Sequence, residues 1–225
     1  MIILTNFKAY PTGVFQKAKE LVQTHIDAQN EVQKTRKDVQ FAVAINSLDL
    51  QSICSEFAEK IDIYAQHCDN ASFGSSTGKI LPEMLKEMGA KGVILHHSEN
   101  RFSTDNNYET LISTINFAKK SGLTVVCCAE TTEEGKFLSD NSNADFIAVE
   151  PPKLIGGNIS VSASRPELIS ESVEQIGAHK VLIGAGIKTG RDVKIAIEKG
   201  SVGVLLASGV TKSTTPKKVL LDLAS

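Results

Sequence analysis

Cysteine is scarce in this chain, an excess of one charge is missing, and no long apolar run occurs. The four cysteines, Cys54, Cys68, Cys127 and Cys128, form no C-x-x-C pair, and no histidine pattern completes a zinc site. They read as buried thiols of a protein in a reducing cytoplasm, with no metal expected. Lysine and arginine number 24 against 26 acidic residues, a formal net charge of -2. That balance argues against a nucleic-acid-binding face. No stretch reaches membrane-spanning length. The opening Met1-Ile-Ile-Leu-Thr5 has no basic region before its apolar residues, so it reads as a first strand rather than a signal peptide. No G-x-G-x-x-G follows that strand, which removes the usual dinucleotide fingerprint. No Gly/Ser-rich linker or shift in composition marks a second domain.

What is present is alternation. Apolar residues make up 41% of the 225 positions, enough for a large core. Short apolar runs lie at Ile2–Thr5, Gln40–Ile45, Ile61–Ala65, Lys91–Leu95, Leu123–Cys127, Phe146–Val149, Lys180–Ile183 and Val202–Leu206. Longer amphipathic stretches lie between them, among them Thr12–Gln29, Leu81–Met88, Asn107–Lys120, Arg165–Ile176, Gly190–Lys199 and Thr215–Leu223. Thr189 is placed to cap the helix opening at Gly190, and Gly89, Gly122 and Gly200 fall where helices should end. The spacing, roughly 28 residues per unit, suits βαβ crossovers. The strands are near-continuous apolar runs, as expected of parallel strands buried on both faces. A single (β/α)8 barrel domain over residues 1–225 is the predicted architecture, with an open doubly wound sheet as the alternative. Cys127 and Cys128, adjacent in one predicted strand, should point to opposite faces.

Barrel active sites are built from the loops that follow the strands. Glu150 stands at such a position: the apolar Phe146–Val149 run ends in it, and Pro151-Pro152 stops the strand at once. A turn, Lys153-Leu-Ile-Gly-Gly157, follows and reads as a lid with a stiff start and a permissive end. Taken alone, Glu150 is an ordinary strand-end carboxylate. The other strand ends change that reading: Thr5-Asn6-Phe7-Lys8 after the first, Gln66-His67 after the third, and His96-His97-Ser98-Glu99 after the fourth. Gly184-Ala185-Gly186 and Ala207-Ser208-Gly209 follow the seventh and eighth, the two positions where backbone N–H groups commonly grip a phosphate. A carboxylate base, an imidazole electrophile, a lysine and a phosphate cradle together suit proton abstraction beside the carbonyl of a small phosphorylated compound. That chemistry calls for no cofactor.

The motifs Asn6-Phe7-Lys8, His97-Ser98-Glu99, Val149-Glu-Pro-Pro-Lys-Leu-Ile-Gly156, Gly184-Ala-Gly-Ile187 and Gly203-Val-Leu-Leu-Ala-Ser-Gly-Val210 span the chain. In them the sequence resembles the triosephosphate isomerase family, and its short length looks like the archaeal branch. The resemblance implies an isomerase of dihydroxyacetone phosphate and glyceraldehyde 3-phosphate working through an enediolate, in glycolysis and gluconeogenesis. By the mechanism known for that family, Glu150 would be the base and His97 a neutral electrophile. Lys8 would supply fixed positive charge, Asn6 would bind substrate oxygens, and Glu99 would lie near Lys8. Backbone groups of Ile155 or Gly156, Gly186, Ala207 and Ser208 would hold the phosphate, under a lid from Pro151 to Gly157. Since adjacent strand residues face opposite ways, only one of His96 and His97 can enter the site; the His-Ser-Glu triplet selects His97. His25, His96 and His179 are read as structural. The segment His67–Lys79 looks like the family's protruding third loop, which implies a homo-oligomer, dimer or tetramer. Two departures stand out: Gly156-Gly157-Asn158 in place of the family's Gly-Thr-Gly, and Lys79 where many members carry a glutamate. A different phosphate-binding barrel enzyme and a non-catalytic binding protein are the alternatives. The joint presence of Lys8, His97 and Glu150 weighs against both.

Overall fold

In the computed structural model, which describes residues 1–151 and 161–225, eight parallel strands close into a barrel. They are β1 (Ile2–Asn6), β2 (Gln40–Ile45), β3 (Asp62–Ala65), β4 (Gly92–Leu95), β5 (Thr124–Ala129), β6 (Phe146–Val149), β7 (Val181–Ile183) and β8 (Gly203–Leu206). Each pairs with its sequence neighbour, and β1 closes the ring on β8 through Ile2↔Gly203 to Thr5↔Leu206. The expected (β/α)8 barrel fold is therefore the observed one, and the open-sheet alternative falls.

The strands read as solid apolar runs because each has two faces to bury. Leu4, Ala42, Ala44, Tyr64, Ile94, Val126, Cys128, Ala148, Leu182 and Leu205 fill the barrel interior. Their alternating neighbours, such as Ile3, Val43, Val93, Cys127 and Val149, pack outward against the helices. Cys127 and Cys128 thus divide between the two layers, as the period of two requires.

The helices that cover the barrel include α1 (Phe15–Val32), α2 (Leu50–Phe57), α3 (Pro82–Glu87), α4 (Asp105–Lys120) and α5 (Thr132–Asn141). After β6 come α6 (Val161–Ser164), α7 (Pro166–Ile176), α8 (Gly190–Glu198), α9 (Ser208–Thr211) and α10 (Pro216–Leu223). Thr189 caps α8 in a full capping box: its hydroxyl accepts the Asp192 N–H, and Asp192 reaches back to the Thr189 N–H. Gly89, Gly122 and Gly200 take the left-handed backbone just past their helices. The first helix begins at Phe15, later than the predicted Thr12. Pro11 and Thr12 belong instead to the loop that carries Lys8 and Tyr10 over the barrel mouth.

His25 explains how α1 is tied to β1. It is fully buried, its Nδ1–H donates to the Leu21 carbonyl at 2.8 Å, and its Nε2 accepts from the Thr5 hydroxyl at 3.0 Å. Phe7 and Phe41 flank its ring, and burial holds its pKa down to about 4. It is the satisfied structural histidine that the sequence suggests, lying directly behind the strand end that presents Asn6 and Lys8.

Candidate active site

One cavity of about 500 Å³, including its mouth, opens at the C-terminal end of the barrel. Asn6, Lys8, His97, Glu150, Gly186, Ala207 and Ser208, drawn from five different strand ends, all line it. Two further residues named from the sequence, Ile155 and Gly156, lie outside the described residues, as does the lid beyond Pro151.

Glu150 is the residue after β6 and continues its inward phase, two positions past Ala148. Its carboxylate sits against Gly184, where a Cβ would come within 2.3 Å of Cγ and 2.5 Å of Oε1. Glycine at 184 is what leaves room for the carboxylate. The Ala185 backbone N–H and the Cys128 thiol donate to it, yet Oε2 is buried without a hydrogen-bond partner among the described residues. Burial pushes the pKa of Glu150 up to about 7, against the opposing pull of Lys8. A buried carboxylate with one free oxygen facing a cavity is arranged to take a proton.

His97 faces that oxygen, with Nε2 3.7 Å from Glu150 Oε2. The Glu99 backbone N–H donates to its Nδ1 at 3.2 Å, so the ring proton belongs on Nε2, toward the cavity. Burial, and then the charge of Lys8, hold the imidazole pKa down to about 4. The ring is accordingly neutral at physiological pH and donates from Nε2.

Lys8 completes the polar wall. Its Nζ pairs with Glu99 Oε1 at 2.7 Å, the neighbour the sequence suggests. Its backbone takes the left-handed region (φ 52°), steadied by a hydrogen bond from its own N–H to Asn6 Oδ1 at 3.0 Å. Left-handed conformers of residues with a Cβ cost about 1 kcal/mol or more and gather at functional sites. Lys8, His96 and Ala185 all adopt one, each just past a strand; Lys8 and Ala185 line this cavity, and His96 directly precedes the lining residue His97.

The turn at His96 corrects the reason given for choosing His97. Neither histidine belongs to β4, which ends at Leu95. Because Ile94 points into the barrel, strict alternation would turn His96 inward and His97 outward. The left-handed residue at 96 (φ 61°) resets that phase. His97 swings into the cavity, and His96 turns outward to Glu134 on α5. Like His25, His96 is buried with both ring nitrogens engaged.

Several lining residues escaped the sequence reading. Tyr10, Ile187 and Lys188 border the cavity, and the ammonium of Lys212 stands 4.2 Å over the Tyr10 ring. Tyr10 follows Lys8 closely enough to have been suspected; no sequence signal points to Lys212. Lys79, read as a departure from the family, pairs with Asp69 of the same chain at 2.9 Å. Asp69 also accepts the Ile80 N–H and thereby pinches the base of the loop between β3 and α3.

The family model for triosephosphate isomerase matches residues 1–223. The chain is 41% identical to the triosephosphate isomerase of Archaeoglobus fulgidus over 99% of its own length and 96% of that protein. To that of Methanobacterium bryantii it is 39% identical, over 100% and 96%. To that of Methanocaldococcus jannaschii it is 36% identical, over 99% and 98%. A closed eight-stranded barrel, a cavity at its C-terminal mouth and full-length similarity agree: this chain belongs to the triosephosphate isomerase family.

Proposed function

We propose that Glu150, His97 and Lys8 carry the interconversion of dihydroxyacetone phosphate and D-glyceraldehyde 3-phosphate in this protein. The single observation that supports it most is the facing pair in the cavity: a carboxylate raised to about 7 and an imidazole lowered to about 4, 3.7 Å apart. The two groups have environments that push their protonation in opposite directions, which is how acid and base roles are separated in one site. Glu150 removes a proton from the carbon beside the substrate carbonyl. His97 Nε2–H donates a hydrogen bond to the carbonyl oxygen, and the charge of Lys8 stabilises the enediolate that forms. Glu150 then returns the proton to the neighbouring carbon while the hydroxyl proton passes to the former carbonyl oxygen, so the reaction relocates two protons and consumes nothing. Asn6 holds the substrate oxygens. The backbone groups of Gly186, Ala207 and Ser208 are assigned to the phosphate, and Ile155 and Gly156 are carried into the proposal by the family resemblance alone.

The reaction places the enzyme in glycolysis and gluconeogenesis, and we assign it to the cytoplasm; no helix among the described residues is long and apolar enough to cross a membrane. Residues 1–225 are read as one barrel domain. A homo-oligomer, dimer or tetramer, is proposed because Phe15, Leu48 and Phe73 are 68%, 85% and 57% exposed. The Phe15 N–H bonds to Asp49, next to Leu48, so these two residues lie on adjoining segments, and Phe73 rides on the loop after β3. Large apolar side chains left this exposed suit a contact with a second copy.

A coupled assay with glyceraldehyde 3-phosphate tests the reaction and its base together. Wild type is expected to convert the substrate rapidly and Glu150→Ala to lose that conversion. Full activity in Glu150→Ala would remove Glu150 from the role of base.

A further inference from the structure

We infer that His96, which does not face the cavity, is a positioning residue for His97: its imidazole locks the left-handed turn that brings His97 into the site. The inference rests on the reading of His97 as the electrophile. It starts from the broken alternation after β4, because a chain that merely continued the strand would send His97 outward toward the helices. The left-handed backbone at 96 prevents this, and a residue with a Cβ stays there only when its surroundings hold it.

The surroundings are specific. The Phe102 backbone N–H donates to His96 Nδ1 at 3.0 Å, so Nε2 carries the ring proton and donates it to Glu134 Oε1 at 3.2 Å. Glu134 is itself fixed: its Oε2 accepts the Glu130 N–H at 2.7 Å, and the Arg101 guanidinium binds its Oε1 while reaching Glu130 at 3.2 Å. Phe102 and Tyr108 pack beside the His96 ring. The side chain is therefore clamped between α5 and the returning loop.

The loop between the two histidines and Phe102 explains how the clamp reaches the chemistry. His97 Nδ1 accepts the Glu99 N–H, and His96 Nδ1 accepts the Phe102 N–H. One short loop is thus stapled twice, each time by an imidazole Nδ1 taking a backbone proton. The first staple sets the tautomer of His97; the second fixes the return path of the loop that supplies the first. Losing the His96 acceptor frees Phe102, and with it the register of Glu99 on His97.

The test compares His96→Ala with His96→Asn. Asparagine tolerates the left-handed backbone, and its Oδ1 replaces Nδ1 as the acceptor for Phe102. In His96→Ala, kcat is expected to fall about ten-fold or more with KM nearly unchanged, the pattern of a misaligned reacting group. Nitrogen-15 spectra of labelled histidine should show wild-type His97 as a single Nε2–H tautomer and the alanine variant as a mixture. His96→Asn should recover most of kcat together with the single tautomer. Wild-type kcat in His96→Ala, or equal losses in both variants with the His97 signal intact, would overturn the inference. If His96→Ala does not fold, Glu134→Gln weakens the same clamp. Normal turnover and an unaltered His97 tautomer there would equally overturn it. His97→Gln serves as the control: full activity in that variant rejects the electrophile reading, while the spectra still report on the positioning.

Discussion

Glu150 combines two demands, burial that raises its pKa and a fixed direction toward the cavity. Glu150→Asp withdraws the carboxylate by about one carbon–carbon bond, and misplacement of that order costs about a hundred-fold in rate. Turnover is expected to fall by that factor while inhibition by inorganic phosphate stays as in wild type; loss of both would mean the substitution disturbs the whole site. The raised pKa sets the pH profile too. A base with a pKa of about 7 is half protonated there, so kcat/KM should decline below neutrality rather than near pH 4.5. At His97 the sign is reversed: an imidazole held down to about 4 is already neutral across that range and adds no second limb. A flat profile down to pH 5 would contradict the burial argument. Glu150 was nameable from sequence because Pro151-Pro152 stops the apolar run before it, and His97 because the His-Ser-Glu triplet of the family selects it. Their protonation was not, because it depends on packing by distant residues, Cys128, Ala185 and Lys8, that no local pattern reveals.

At the level of elements, the strand ends do the positioning. Gly184, two residues past Leu182 of β7, clears the space that the carboxylate after β6 occupies. Gly184→Ala puts a methyl group into Glu150 Cγ, and about a ten-fold loss of kcat in a folded protein is the expected result; an unchanged kcat would show that the carboxylate can move aside freely. Thr189, which caps α8, does not line the cavity, and Thr189→Ala should lower stability by about 1 kcal/mol with activity retained, read from the denaturation midpoint and the assay. All eight strands were legible within a residue or two, because burial on both faces makes them continuous and apolar. The helices were less legible: α2 and α5 were not singled out, although α2 buries Leu50, Ile53, Cys54 and Phe57 at helical spacing. His96 marks the limit of periodic reasoning. Alternation gives the wrong face to both histidines once a left-handed residue interrupts it, and nothing in the Leu95-His-His-Ser98 string announces that interruption.

For the whole molecule, acid stability follows from the balance of buried titratable groups. His25 has a folded pKa of about 4 against an ordinary 6.5, so between those values the unfolded chain binds the extra proton. Folding stability from this group is present above 6.5 and lost as pH falls toward 4, at up to about 1.4 kcal/mol per pH unit. His97 acts in the same direction, whereas Glu150, raised from 4.5 to about 7, is favoured in its protonated form and loses stability as pH rises through that window. Two histidines against one carboxylate leave a net weakening on acidification from 6.5 to 4.5. Denaturant titrations at several pH values check this, and His25→Leu should flatten the slope whatever its effect on stability at neutral pH. An unaltered slope would mean that His25 titrates alike in both states.

The closed ring has one more consequence. A hoop of eight strands offers no free strand border to another molecule, so the folded protein cannot recruit neighbours by sheet extension. Any rupture, however, creates two such borders at once. The joints with the shortest register are β3 to β4, at Tyr64↔Gly92 and Ala65↔Val93, and β7 to β8, at Leu182↔Gly203 and Ile183↔Val204. Both joints adjoin strand ends that feed the cavity, His96-His97 on one side and Gly184 to Gly186 on the other. The two joints held by the fewest strand pairings thus each border a strand end that supplies a wall of the cavity.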